Sequence, residues 1–229
     1  MDLLLFGDNG WGRQLLSGFG VTLTLASVSY LVALFLGVGL AYLASSERTS
    51  GKVFWKVYSS IMMGVPSLLV VFFVFYNLPA LFKLLTGKPI DISQMAAGII
   101  ALSLVYSSYL AEVLRGAIGN IPKGQFDAGR ALGLGTKLLF AKVIIPQIWR
   151  LALPGLSNVW LVVLKDTVLV SLVGLTDVVR VANLAAGNTG RPFLFYITVG
   201  LAFVVLALSS EAIVRYAERQ ANRPYVDNR

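Results

Sequence analysis

GQFDAGRALGLGTKLLFAKVIIPQIWRLALP, residues 124–154, is the stretch whose reading decides the fold. It is basic and amphipathic, and it lies between long apolar segments. The flanks suit lipid. The stretch itself suits water and the grip of another protein. Pro122 and Gly124 stop the helix before it, and Gln125 is expected to start the next one. Asp127 then falls in the first turn, where its charge complements the helix dipole. Gly133 and Gly135 end that helix about two turns later. Pro146 and Pro154 are expected to bracket the return to the membrane. The insert, about 122–146, therefore reads as a short surface helix between two bends. Two roles compete for it. It rests on anionic headgroups as an interfacial helix, or it docks a cytoplasmic partner. The glycines favour docking, because they let another backbone approach closely.

The flanks explain the rest of the composition. The chain is 57% hydrophobic and 13% charged, whereas a soluble domain carries roughly a quarter charged residues. Runs of about 20 apolar residues cross a bilayer as helix. The expected class is all-α: a polytopic transmembrane bundle of about five spans, forming one domain over residues 1–229. The spans run about Phe19 to Ala44, Tyr58 to Leu81, Ser93 to Leu114, Leu151 to Val173 and Phe193 to Ile213. The N-terminus carries Asp2 and Asp8 and lacks a basic start, so it does not read as a signal peptide.

The net charge of +8 is not read as a nucleic-acid signal, because the cations lie between spans. Thirteen fall on one side: Arg48, Lys52 and Lys56, then Arg115, Lys123, Arg130, Lys137, Lys142 and Arg150, then Arg215, Arg219, Arg223 and Arg229. Five fall on the other, Arg13, Lys83, Lys88, Arg180 and Arg191, and Lys165 lies within a span. The expected orientation has the N-terminus outside, with the insert and C-terminus cytoplasmic. With no Cys and no His, thiol chemistry, a typical zinc site and a Ser-His-Asp triad are out of reach. Ala33, Gly37 and Ala41, four apart, form a candidate face for close helix packing, though glycine is common in membrane helices anyway.

The insert carries a resemblance. Asp127-Ala128-Gly129, three residues, Gly133, nine residues, then Val143-x-Ile145-Pro146 resembles the EAA loop of bacterial ABC-importer permeases. Asp127 stands where that motif usually has Glu, and Gly129 where it has a second Ala. Gly129 costs about 1 kcal/mol of helix propensity relative to Ala. SSYLAEVLRGAIGNIPKGQ (107–125) and LKDTVLVSLVGLTDVVRVANLAA (164–186) are similar to the polar amino-acid subgroup, the second most of all to permeases for histidine, basic amino acids and opines. The resemblance implies a type I importer permease in the bacterial inner membrane. Its implied partners are a dimer of ATP-binding-cassette ATPases, a second permease subunit and an extracytoplasmic solute-binding protein. ATP and magnesium would sit on the ATPase, since this chain has no phosphate loop. Asp127, Ala128, Gly129, Gly133 and Pro146 are the implied coupling residues.

Lys165 and Asp166 lie about 16 Å past Pro154 at 1.5 Å per residue, near mid-membrane. Ionisable groups there cost about 2.5–3.5 kcal/mol each on insertion scales, so both should face a cavity or a partner. Asp166 is the candidate for holding a substrate ammonium. Lys165 would meet a carboxylate or tie down a neighbouring helix. The competing reading is a structural pair with Glu112 or with a partner subunit. Thr167 and Ser171 would add polar contacts. Ser103, Tyr106 and Ser107 are further cavity candidates, as are Thr24 and Ser27. Lone serines in membrane helices often bond their own backbone instead. Met63 precedes Gly64-Val65-Pro66, an expected helix break with free carbonyls; many relatives carry Arg at that position. Glu112 and Arg115 are expected to form a structural or gating pair. The competing function is a secondary transporter driven by an ion gradient, which would need no docking insert.

Overall fold

The computed structural model of the chain describes residues 2–6, 10–46, 48–88 and 90–226, with residue 2 and residues 221–226 described by backbone alone. Asp8 and Arg229, and the side chains of Asp2 and Arg223, lie outside the described residues. After a short 3-10 turn (Asp2–Leu4) come α1 (Gly12–Ser45), α2 (Thr49–Gly64), α3 (Ser67–Thr86), α4 (Gln94–Gly119), α5 (Lys123–Ala131) and α6 (Thr136–Leu139). A π-turn (Phe140–Ile144), α7 (Ile145–Asp166), α8 (Val168–Ser171), α9 (Val178–Thr189) and α10 (Pro192–Val226) complete the order. Five stretches are long and apolar enough to span a bilayer: Gly12–Ser45, Ser67–Thr86, Gln94–Gly119, Thr136–Ser171 and Pro192–Gln220. The all-α, five-span bundle is the fold that the apolar runs predict.

α4 is the buried centre and α10 the least buried span. In lipid, helices gain little hydrophobic drive from meeting each other, so close packing and hydrogen bonds hold them. The contact of α1 with α4 follows that rule. Ala33, Gly37 and Ala41 all face inward, and a Cβ on Gly37 would lie 3.0 Å from Leu110 Cβ. Leu25 meets Gly98, Ser103 donates to the Ser29 carbonyl at 3.1 Å, and Gly37 meets Leu110. The two helices therefore run parallel. Tyr30 of α1 donates to the Leu156 carbonyl of α7 at 3.0 Å and sets its ring edge-on to Trp160.

Three boundaries differ from the sequence reading, each for a physical reason. The helix break expected at Gly64-Val65-Pro66 is present, with Val65 and Pro66 extended, and it divides the expected span from Tyr58 to Leu81 between α2 and α3, so that the span-length helix starts at Ser67. Pro146 and Pro154 do not interrupt the fourth span; both lie inside α7. The π-turn explains how Pro146 is accommodated. Ile145 N–H donates five residues back, to Phe140, and the wider turn gives room to a ring that otherwise crowds the carbonyl four residues earlier. The third difference is α9, which lacks a span-length apolar run and was not expected. Its N-cap is Asp177, whose Oδ1 accepts from Arg180 N–H at 2.8 Å. It seats on α1, where Val178 N–H donates to Thr22 Oγ1 at 3.3 Å.

Candidate functional site

Two helix ends meet the middle of α4 and place polar groups inside an apolar bundle. α7 ends at Asp166, and α3 begins at Ser67 after the Pro66 break. Between them stands Tyr106 of α4, 3% exposed. Tyr106 Oη donates to Asp166 Oδ2 at 2.5 Å and lies near the Ser67 hydroxyl. Asp166 has no ion-pair partner among the described residues, and its Oδ1 accepts no hydrogen bond there. It is only half-buried. A carboxylate held by a phenol rather than by a cation keeps capacity for a cationic ligand. Among the described residues no three carboxylates gather as a metal site.

The other sequence candidates take different places. Ser103 bonds the Ser29 carbonyl, Thr167 the Leu164 carbonyl at 2.8 Å and Ser171 the Val168 carbonyl at 2.7 Å. Ser107 bonds the Leu104 carbonyl and Tyr58 Oη, each at 2.8 Å. All four hydroxyls lie in helix contacts rather than in the Tyr106–Asp166 group. Thr24 bonds the Gly20 carbonyl on an exposed face. Met63 Sδ accepts from Ser59 Oγ at 3.4 Å, three residues before Pro66. Lys165 is exposed, and its side chain has no partner among the described residues. Glu112 does not reach Asp166 or Lys165; it accepts from Arg115 Nε at 2.9 Å on the same helix turn. Ser67 was missed by the sequence reading. Its signal was its position, the first polar residue after a helix-breaking Pro.

The second candidate element is α5. It starts at Lys123, after Pro122, rather than at Gln125, so Asp127 falls in its second turn. Asp127 and Ala128 are exposed. Gly129 is buried, because Leu139 of α6 presses on it; a Cβ at Gly129 would lie 2.3 Å from Leu139 Cδ1. Gly133 has φ +74° and closes the helix with two bonds, Gly133 N–H to Arg130 at 2.9 Å and Leu134 N–H to Gly129 at 3.1 Å. That pairing is the Schellman motif, which needs a left-handed residue at this position. Leu132 at the tip is 79% exposed. Behind the helix, Ile121, Leu139 and Ile144 form a buried cluster. Gln147 Nε2 donates to Gln125 Oε1 at 3.2 Å, and Phe126 sets its ring edge-on to Phe140. α5 is thus braced against the start of the helix that ends at Asp166.

The comparisons with known proteins bear on the family and the fold. Residues 33–223 match the family described as binding-protein-dependent transport system inner membrane component. The arginine ABC transporter permease protein ArtQ of Haemophilus influenzae is 41% identical over 203 residues, covering 89% of this chain and 91% of that protein. The nopaline transport system permease protein NocQ of Agrobacterium fabrum is 37% identical over 229 residues, covering 97% of each. A crystal structure of an amino acid ABC transporter with histidines superposes with a TM-score of 0.80 at 28% identity, covering 92% of this chain and 95% of that one. The chain belongs to the family of inner-membrane components of binding-protein-dependent transport systems, a transport subunit rather than a catalytic one.

Proposed function

We propose that this permease carries cationic amino acids or opines across the inner membrane, with Asp166 holding the substrate's positive charge at the end of α7. The observation that carries this reading is the half-buried Asp166 carboxylate, held by Tyr106 and met by no cation among the described residues. The relatives named for arginine and nopaline, and the solved transporter with histidines, support the substrate class. Residues 1–229 act as one permease domain. The N-terminus lies outside, and α5 and the C-terminus lie in the cytoplasm, on the side with thirteen cations.

The driving force comes from an ATPase dimer, which alone holds ATP and magnesium. Asp127, Ala128 and the tip at Gly133 meet the ATPase, while Gly129 and Pro146 fix the helix to the span behind it. A second permease subunit completes the pathway, and a solute-binding protein delivers substrate from outside. Lys165, exposed at mid-membrane depth, faces that pathway or the second subunit rather than lipid.

The test is substrate-stimulated ATP hydrolysis by the reconstituted complex, read against arginine, lysine, histidine, glutamine and opines. Cationic substrates should stimulate. Asp166→Asn should weaken their half-saturation about tenfold to a hundredfold, the worth of one charged hydrogen bond at about 1.5–3 kcal/mol. Glutamine stimulation alone, or unchanged half-saturation in an intact Asp166→Asn complex, would overturn the assignment.

A further inference from the structure

The first half of α2 carries a ladder of cations that the transport reading does not use. Arg48, at the N-cap, and Lys52 and Lys56 follow at i, i+4 and i+8. At about 100° and 1.5 Å per residue they form one stripe roughly 12 Å long. All three side chains are exposed, and none has an ion pair or hydrogen bond among the described residues. One flank of the stripe is the packed face of α2, where Trp55 and Tyr58 meet Leu40, Ala41 and Ala111. The other flank is apolar and outward: Val53 and Val57, about 60° and 100° round the helix from Lys56, are each more than half exposed. Leu40 and Ala41 belong to the last turns of α1, and α4, parallel to α1, leads from Ala111 into α5. The stripe therefore lies at the membrane face that bears the docking helix, where a bilayer has its headgroups.

We propose that α2 binds the headgroup of an anionic phospholipid along Arg48, Lys52 and Lys56, with the acyl chains laid on Val53 and Val57. Charge decides the occupant. A zwitterionic headgroup offers no net charge to three adjacent unpaired cations, whereas an anionic one gains roughly fivefold in affinity for each cation near the surface. The apolar flank requires a ligand with chains, which free phosphate lacks. The site also touches transport. Tyr58 Oη donates to the Leu104 carbonyl at 2.7 Å and contacts Ser107 at 2.8 Å, two turns before α2 gives way to the Pro66 break and Ser67. A lipid held on α2 thereby steadies the strand of contacts leading to Tyr106. That last link rests on the proposed substrate site; the lipid site itself does not.

The test is titration of the purified permease–ATPase complex with dioleoylphosphatidylglycerol and with dioleoylphosphatidylcholine, read as bound lipid by native mass spectrometry. The triple variant R48Q/K52Q/K56Q should lose at least tenfold in phosphatidylglycerol affinity, and R48K/K52R/K56R should keep it. Phosphatidylcholine should bind weakly and alike in all three. Equal phosphatidylglycerol binding by the glutamine variant overturns the proposal. So does loss of the ATPase from that variant with lipid binding intact, which would make the stripe a protein contact. If the glutamine variant fails to assemble, the salt dependence of the unaltered complex decides: binding indifferent to ionic strength overturns the site. Substrate-stimulated hydrolysis plays no part in the readout, so failure of the transport assignment leaves this result interpretable.

Discussion

Gly129→Ala sets two physical effects against each other inside α5. Helix propensity alone favours the change by about 1 kcal/mol, since glycine in a helix interior is that much worse than alanine. Packing opposes it. The new Cβ would lie 2.3 Å from Leu139 Cδ1, well inside contact distance, with Cγ at 3.4 Å and Cδ2 at 3.5 Å. Leu139 could swing its end away only if its surroundings allowed it. It is 3% exposed and wedged with Ile121 and Ile144. Overpacking of this kind costs about 1–3 kcal/mol, so packing wins and the net loss is about 1 kcal/mol. For a chain of this size that lowers Tm by roughly 2–4 °C, measurable by thermal unfolding in detergent. The decisive comparison is the Leu139→Ala background. That change alone costs about 2–5 kcal/mol, but it removes the obstructing carbons, so Gly129→Ala should then stabilise by up to about 1 kcal/mol. The sign of one substitution should invert with the identity of residue 139. The same sign in both backgrounds would refute the reasoning and leave Gly129 as a propensity choice alone.

Gly133→Ala should weaken the proposed ATPase docking, because φ of +74° costs an L-residue about 1–2 kcal/mol; Gly133→Asn should cost less, and an unchanged permease-to-ATPase ratio on co-purification of the Ala variant would contradict the proposed contact of the α5 tip with the ATPase. Tyr30→Phe should lower stability by about 0.5–1.5 kcal/mol through loss of the bond to the Leu156 carbonyl, with substrate preference unchanged in the ATPase assay. Asp177 lies outside the spans and is fully buried, and burial pushes its carboxyl up to about 6 despite backbone bonds that pull the other way. Its charged form is disfavoured in the folded state, so this cost is absent below the ordinary carboxyl value, grows as pH rises toward 6, and is complete above it. Acidifying from pH 7 to 5 should therefore stabilise the chain by about 1 kcal/mol, and Asp177→Asn, which keeps the capping oxygen, should abolish that part of the pH slope; an identical slope in the variant would show that other groups carry it.

Much of this architecture is written in local pattern. Apolar runs of span length mark the five crossings, and Gly64-Val65-Pro66 marks the break between α2 and α3, because a pre-proline residue and a proline cannot continue a helix comfortably. The Pro122-x-Gly124 and Gly133-x-Gly135 punctuation marks the short helix α5. What stays hidden depends on contacts between distant segments. Nothing around Tyr106 and Asp166, sixty residues apart, says that they pair; that follows from how α4 crosses the end of α7. Gly129 looks like a costly substitution for alanine until Leu139 is seen against it. Pro146 reads as a bend, and only the π-turn ahead of it explains why the helix continues. α9 is too short and too mixed for a hydropathy signal. The local clue was Thr176-Asp177-Val178, an acidic cap before a helical run, and a buried cap is a tertiary fact.

The two candidate elements share one piece of backbone, and that sharing bears on mechanism. The stretch Thr136–Ser171 carries α6, the π-turn, α7 and α8 as a single crossing. Its N-terminal end is tied to α5 through Leu139 and the Gln125–Gln147 bond, and α7 within it ends at Asp166. A push on α5 therefore has a direct route to the carboxylate, with few loose joints between them. The most compliant point on that route is the π-turn, where the regular ladder is already broken. In the proposed transport cycle, the ATPase moves α5 between two positions, and substrate affinity at Asp166 differs between them. Work is done only through that difference. If α5 were tethered to the bundle by a flexible loop, its motion would dissipate before reaching α7. The buried Ile121–Leu139–Ile144 cluster and the glycine that lets α5 press against it are what make the connection stiff.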